Sequence, residues 1–193
     1  MEDFTLFFKL GWYHILSLNA LDHILFIATL TCLYNLNHWK QVLFLITAFT
    51  IGHSLTLAIS TYNIIRFNND WIEFLIPLTI LSTAIFNIAQ KEKESSFRIH
   101  LNYLLALCFG LVHGMGFANT IRFMLAKAQT LTVPLVSFNL GIEAGQILFV
   151  IFLLYVTTIL TESSELKQKW WTTGCSVISG IIAIYMCTQR WPF

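Results

Sequence analysis

Asp22 and His23 stand side by side in an otherwise apolar run, LNALDHILFIATL. Three more histidines share that setting: His14 in LGWYHIL, His53 in TAFTIGHSLTL and His113 in FGLVHGMGFA. A second carboxylate, Glu143, lies in FNLGIEAGQILF. A carboxylate at the centre of a bilayer costs about 2.5–3.5 kcal/mol on insertion scales, so such residues face the bundle interior and find partners there. Imidazole nitrogens and carboxylate oxygens together form a ligand set suited to nickel, cobalt or zinc. Sulfur does not join them. Cys32, Cys108, Cys175 and Cys187 are scattered singly with no Cys-x-x-Cys pair, which argues against copper(I) and against a disulfide framework.

Spacing limits which of these groups can meet. Neighbouring helical residues are about 100° apart, so Asp22 and His23 can flank one cavity. His14 precedes His23 by nine residues, or about 13 Å along a straight helix, and one ion cannot touch both. Either His14 serves a separate capture point toward one face, or the chain is bent or unwound around Ser17–Asn19. Asn139, Glu143 and Gln146 follow i, i+4, i+7 and form one polar stripe. Gly110xxxGly114 and Gly141xxxGly145 are small-residue patterns that let membrane helices approach closely, and Gly116 removes a further side chain beyond His113. The expected ligands are His14, Asp22, His23, His53, His113 and Glu143, supported by Asn139, Gln146 and Ser54. Each feature has a plainer explanation: a lone buried histidine is often a hydrogen-bond partner between helices, and Gly-x-x-x-Gly is more often packing than function. The combination across four segments favours a shared site.

The elements that must position these groups are membrane helices. Of 193 residues, 56% are hydrophobic and only 11% charged, where a soluble domain carries about a quarter charged residues. The composition reads as an integral membrane protein with little room for a soluble domain. Lys and Arg number 11 against 10 Asp and Glu, so no basic face is available for nucleic acid; the partners expected are lipid and a metal ion, with homo-oligomerisation left open. Six spans of the required length fall at roughly 12–34, 41–62, 71–90, 99–126, 133–160 and 170–189. The links are short and polar. The alternating ten-residue pattern of a membrane barrel is absent, so the fold expected is an all-α polytopic bundle forming a single membrane domain over 1–193. The opening MEDFTLFFKLGW lacks the positive region of a signal peptide and reads as an interfacial lead-in to the first span. Six spans put both termini on one side; the other side carries six of the Lys and Arg residues against five, a weak preference for termini outside. Gly-x-x-His occurs at 11–14 and again at 110–113. Three spans repeated in tandem would be inverted in the membrane.

At these residues the chain resembles a known family. His14, Asp22 and His23 in the first span, LITAFTIGHSLTL in the second, FGLVHGMGFA in the fourth and FNLGIEAGQILF in the fifth resemble motifs of the HupE/UreJ family of bacterial membrane proteins. The third and sixth spans match in character only. The resemblance implies an inner-membrane protein connected with nickel or cobalt uptake. It also places His14, Asp22, His23, His53, His113, Asn139, Glu143 and Gln146 on motif positions.

The function expected is binding and transport of a divalent transition metal through an intramembrane His/Asp/Glu site. A second class stays open: an intramembrane zinc hydrolase acting on lipid or protein, because three histidines plus a carboxylate with one open position is a catalytic zinc set. Glu143 or Asp22 would then be the general base, with Ser54 assisting. A third, an accessory protein with a polar core, binds no metal. Ligand imidazoles must be neutral, so protons compete with the ion. Metal binding is expected to weaken as pH falls through about 6–6.5, the ordinary histidine range. A metal titration that gives the same affinity at pH 7.5 and 5.5 removes histidine ligation.

Overall fold

The computed structural model describes residues 2–17, 20–64, 68–89, 96–125, 131–161 and 164–192. These form α1 (Glu2–Leu16), α2 (Leu21–Thr31), α3 (Trp39–Thr61), α4 (Asn69–Ala89), α5 (Ser96–Leu125), α6 (Thr132–Thr161) and α7 (Glu165–Gln189), with no strand among the described residues. Five helices, α3 to α7, are long and apolar enough to cross a membrane. The pair α1 and α2, bent by 65°, passes the same test of length and composition when taken together, which gives five to six candidate spans among the described residues.

That bend falls within the first span expected over 12–34, at the break around Ser17–Asn19 that the sequence left open. The lead-in is itself helical from Glu2, the helix stops at Leu16, and a new one starts at Leu21. Leu18 and Asn19 lie outside the described residues. The restart has a local cause. No side chain caps α2 at Ala20, but Asp22 in its first turn accepts a hydrogen bond from the backbone N–H of His23 at 2.9 Å. An acidic group suits the partial positive charge of a helix N-terminus and satisfies one of its orphan donors. Ser164 caps α7 in a comparable way, accepting from the N–H of Leu166.

Glycines set the helix pairing. A Cβ on Gly11 of α1 would collide with the Phe138 carbonyl of α6, and one on Gly141 of α6 with the Phe8 carbonyl of α1. Further along, a Cβ at Gly145 would lie 3.4 Å from Ile15 Cβ. Residue numbers rise together, so α1 and α6 run parallel. A Cβ on Gly52 of α3 would strike the Leu107 carbonyl of α5, and those on Gly110 and Gly114 of α5 the carbonyls of Phe49 and His53; α3 and α5 also run parallel. The two pairs oppose each other. The Leu36 N–H, just ahead of α3, donates to Thr158 Oγ1 of α6 at 3.0 Å, while Thr50 meets Gln146.

The remaining helices, α4 and α7, run antiparallel: Ala84 lies against Gly180 and Asn87 against Ser176. Asn87 also ties α2 to this pair, its Nδ2 donating to the Thr29 carbonyl at 2.7 Å. Gln168 Nε2 and Thr172 Oγ1 of α7 both donate to the Cys32 carbonyl, at 3.0 and 3.2 Å. Orphan carbonyls at the end of a helix inside a membrane need such partners.

The close backbone approach predicts a graded response to added side chains. Gly110→Val should destabilise the folded protein by ~1–3 kcal/mol, the range for forced overpacking. Gly174→Ala, where a Cβ meets nothing within 4 Å, should be neutral. Thermal unfolding in detergent compares them; equal stability of the two variants refutes the packing role of Gly110.

Candidate metal centre

The bend at Leu16–Leu21 resolves the spacing problem posed by His14 and His23. Their rings are 4.8 Å apart, centroid to centroid, at 71°. His53 of α3 completes the group: its ring is 6.5 Å from His14 and 6.2 Å from His23. The three residues each offer a ligand nitrogen, and those atoms lie within 4.8 Å of one another. His113 of α5 stands beside them, 5.0 Å from His23 at 70°.

Hydrogen bonding fixes the tautomers of two rings. His23 Nδ1 is 3.0 Å from Asp22 Oδ1, and a carboxylate only accepts, so Nδ1 carries the proton. His113 Nδ1 likewise donates to the Phe109 carbonyl at 2.9 Å. Both Nε2 atoms therefore present bare lone pairs, the arrangement in which a second partner orients a metal-ligating histidine. The Nε2 atoms of His14, His23, His53 and His113 are all buried without a hydrogen-bond partner, as is Nδ1 of His53. An unpaired buried polar atom costs about 1–3 kcal/mol. Several in one place form a group that could hold a metal ion.

Aromatic rings wall the group off. Phe117 lies 4.1 Å from His14, tilted by 40°, and stacks on Phe138 at 5.1 Å; Phe49 lies 5.2 Å from His113. A cavity of about 420 Å³ opens onto the histidines, lined among others by Tyr13, His14, Ser17, Asp22, His23, His113 and Gly116. It reaches the surface beside Tyr13, which is exposed. Arg190, just past the end of α7, places Nη1 3.6 Å from Asp22 Oδ2. The carboxylate thus faces a histidine with one oxygen and a guanidinium with the other.

The remaining expected residues sit on the α3–α6 contact. Thr47 Oγ1 donates to Glu143 Oε1 at 3.0 Å, and Thr50 Oγ1 to Gln146 Oε1 at 2.9 Å. Asn139, whose Oδ1 is buried and unpaired, stands beside His53. Residues 47, 50 and 53 share one face of α3, so this polar row leads directly from the histidines. Glu143 is not among the three convergent ligands. Ser54 is half-buried on the turn after His53. The Asn119 side chain lies outside the described residues. Sequence reasoning missed Arg190, because a cation at a chain end looks like an interfacial charge until the fold folds it back onto Asp22. It also missed Thr47, whose spacing from Thr50 and His53 on one helix face was the available signal.

Fold and site together define a polytopic helical membrane protein with a cluster of histidines inside the helix bundle. The family described as HupE / UreJ protein matches residues 1–190, and the chain belongs to that family. No curated protein and no solved structure matches it.

Asp22→Ala removes the acceptor that fixes the His23 tautomer. Loss of such an orienting partner typically lowers metal affinity 10–100-fold. Calorimetric titration of the purified variant with nickel(II) should show that loss; unaltered affinity dissociates Asp22 from the site.

Proposed function

We propose that this protein carries a divalent transition metal, nickel or cobalt, across the bacterial inner membrane. The observation that supports this most directly is the convergence of three imidazoles from α1, α2 and α3, each with a buried unpaired Nε2, beside a cavity that His14 and His23 line. In this reading His14, His23 and His53 take the ion from the cavity. Asp22 orients His23 and supplies a negative charge that offsets the ion's own. The row formed by Asn139, Gln146 and Glu143, with Thr50 and Thr47, offers oxygen ligands leading onward along α3 and α6. Neutral nitrogen donors and few carboxylates suit an ion that must also leave, since conduction requires binding that is favourable but not too tight.

The hydrolase reading receives less support. Glu143, one of the two candidate bases, is engaged by Thr47 away from the three histidines. Asp22, the other, has its oxygens directed at His23 and Arg190.

The test pairs elemental analysis of the purified protein with uptake of nickel(II) and cobalt(II) into proteoliposomes. The wild type should bind about one ion per chain reversibly and accumulate it. His23→Ala should lower both binding and uptake at least tenfold. Zinc that survives dialysis in one-to-one ratio, with no ion uptake, would instead establish a resident catalytic metal.

A further inference from the structure

The close contacts between helices occur twice, residue for residue. Shift α1 by 99 positions onto α5, and α3 by 89 positions onto α6. Gly11 then becomes Gly110, His14 becomes His113, Phe49 becomes Phe138 and Gly52 becomes Gly141. The contacts follow the same rule. Gly11 abuts the carbonyl of Phe138, and Gly110 that of Phe49. Gly141 abuts the carbonyl of Phe8 and the nitrogen of Trp12; Gly52 abuts those of Leu107 and Leu111, which are Phe8 and Trp12 shifted by 99. Even the exception obeys it. Ile15 packs on Gly145 in one pair and Gly114 on Thr56 in the other, so the small partner has changed helices at equivalent positions.

Helix directions complete the pattern. The two parallel pairs, α1 with α6 and α3 with α5, point opposite ways, while α4 and α7 meet each other antiparallel. Two three-span units related by a twofold axis in the membrane plane require these three pairings: first span with second span twice, and third with third. The axis has a visible centre. His23 stands between the equivalent residues His14 and His113, at 4.8 Å and 71° from one and 5.0 Å and 70° from the other. His14 leans on Phe138 and His113 on Phe49, again equivalent residues. His23 itself has no such counterpart: position 122 is arginine.

We infer that the chain is two inverted copies of a three-span unit, and that His14 and His113 are equivalent ligands that alternately share the ion with His23. This rests on the metal-transport reading above. The structure has His14 closing the group with His23 and His53. In the alternate state His113 takes the place of His14 beside His23 and His53; His53 serves both states, since its counterpart at position 142 is isoleucine, and the change requires only that the α1–α6 and α3–α5 pairs, each locked by backbone contact, tilt past each other. Inverted repeats with a central site operate in this manner in many transporters. His23, oriented by Asp22 and mounted on α2, keeps hold of the ion during the exchange.

The test uses nickel(II) alone, with affinity and proteoliposome uptake measured on the same preparations. His14→Ala and His113→Ala each leave one of two coordination states. Affinity should fall only about twofold to threefold if the states are comparably populated, whereas uptake falls at least tenfold. The double variant should lose binding altogether. A single static site with four nitrogen ligands predicts instead that each single substitution weakens binding at least tenfold, which overturns the inference.

Cross-linking supplies a second readout, in a background lacking the four native cysteines. Ile15→Cys with Gly145→Cys, Cβ positions 3.4 Å apart and near disulfide range, joins α1 to α6 within one pair and should preserve uptake. Joining Leu36→Cys to Thr158→Cys with a short bifunctional reagent ties the two pairs together and should stop uptake while preserving binding. Uptake that survives the second link overturns the inference. If the wild type neither binds nor accumulates nickel(II), the transport reading fails and this inference with it; binding and uptake by the wild type with symmetric, strongly weakened single variants rejects only the alternation.

Discussion

Backbone meets backbone where Gly11 and Gly141 join α1 to α6, and where Gly52, Gly110 and Gly114 join α3 to α5. In a bilayer, lipid chains are as apolar as leucine, so helices are held by packing and hydrogen bonds, not by escape from water. Small residues are the means of getting close enough. Here they do more than hold the bundle together. They set α1 firmly against α6 and α3 against α5, and from these two seams His14 and His53 reach toward each other and toward His23. His53 follows Gly52 directly, and His113 sits between Gly110 and Gly114, so the closest approach and the ligands coincide.

The second requirement is a break in the first crossing. A straight helix would separate His14 from His23 by more than any ion could span. Starting a fresh helix at Leu21 folds them together and gives Asp22 the N-terminal turn, where its carboxylate serves the helix and His23 at once. The same break borders a cavity lined by Tyr13, Ser17 and three of the histidines, His14, His23 and His113. Cavity, ligand geometry and charge therefore share one local origin.

Much of this was legible in the sequence. Long apolar stretches pointed to the helices α3 to α7, and polar residues stranded within such stretches pointed to histidines that the structure brings together. His14, His23 and His53 appear in both accounts, and His113 beside them. What could not be read was depth and direction. No glycine or proline in residues 12–34 marks a helix end, and only the spacing of His14 and His23 pointed to a break around Ser17–Asn19. Glu143 looked equivalent to Asp22 as a mid-membrane carboxylate; its actual neighbour, Thr47, is 96 residues away and shares no motif with it. Arg190 escaped for the same reason, because its partner is at the other end of the chain. The Gly-x-x-His echo was visible, but two short matches gain weight only when the atoms they touch are also seen to match.

The anchoring of α2 has one more consequence. Its far end is tied to α4 and α7 through Asn87, Gln168 and Thr172, whereas α1 is bound along its length to α6. The two halves of the first crossing thus have different mountings, one on each side of the bend. His14 rides on one mounting and His23 on the other. Their separation is consequently a gauge of how those helix groups stand to each other, and a spectroscopic ruler placed across that short gap would register a shift between the groups even where no bound ion is in view.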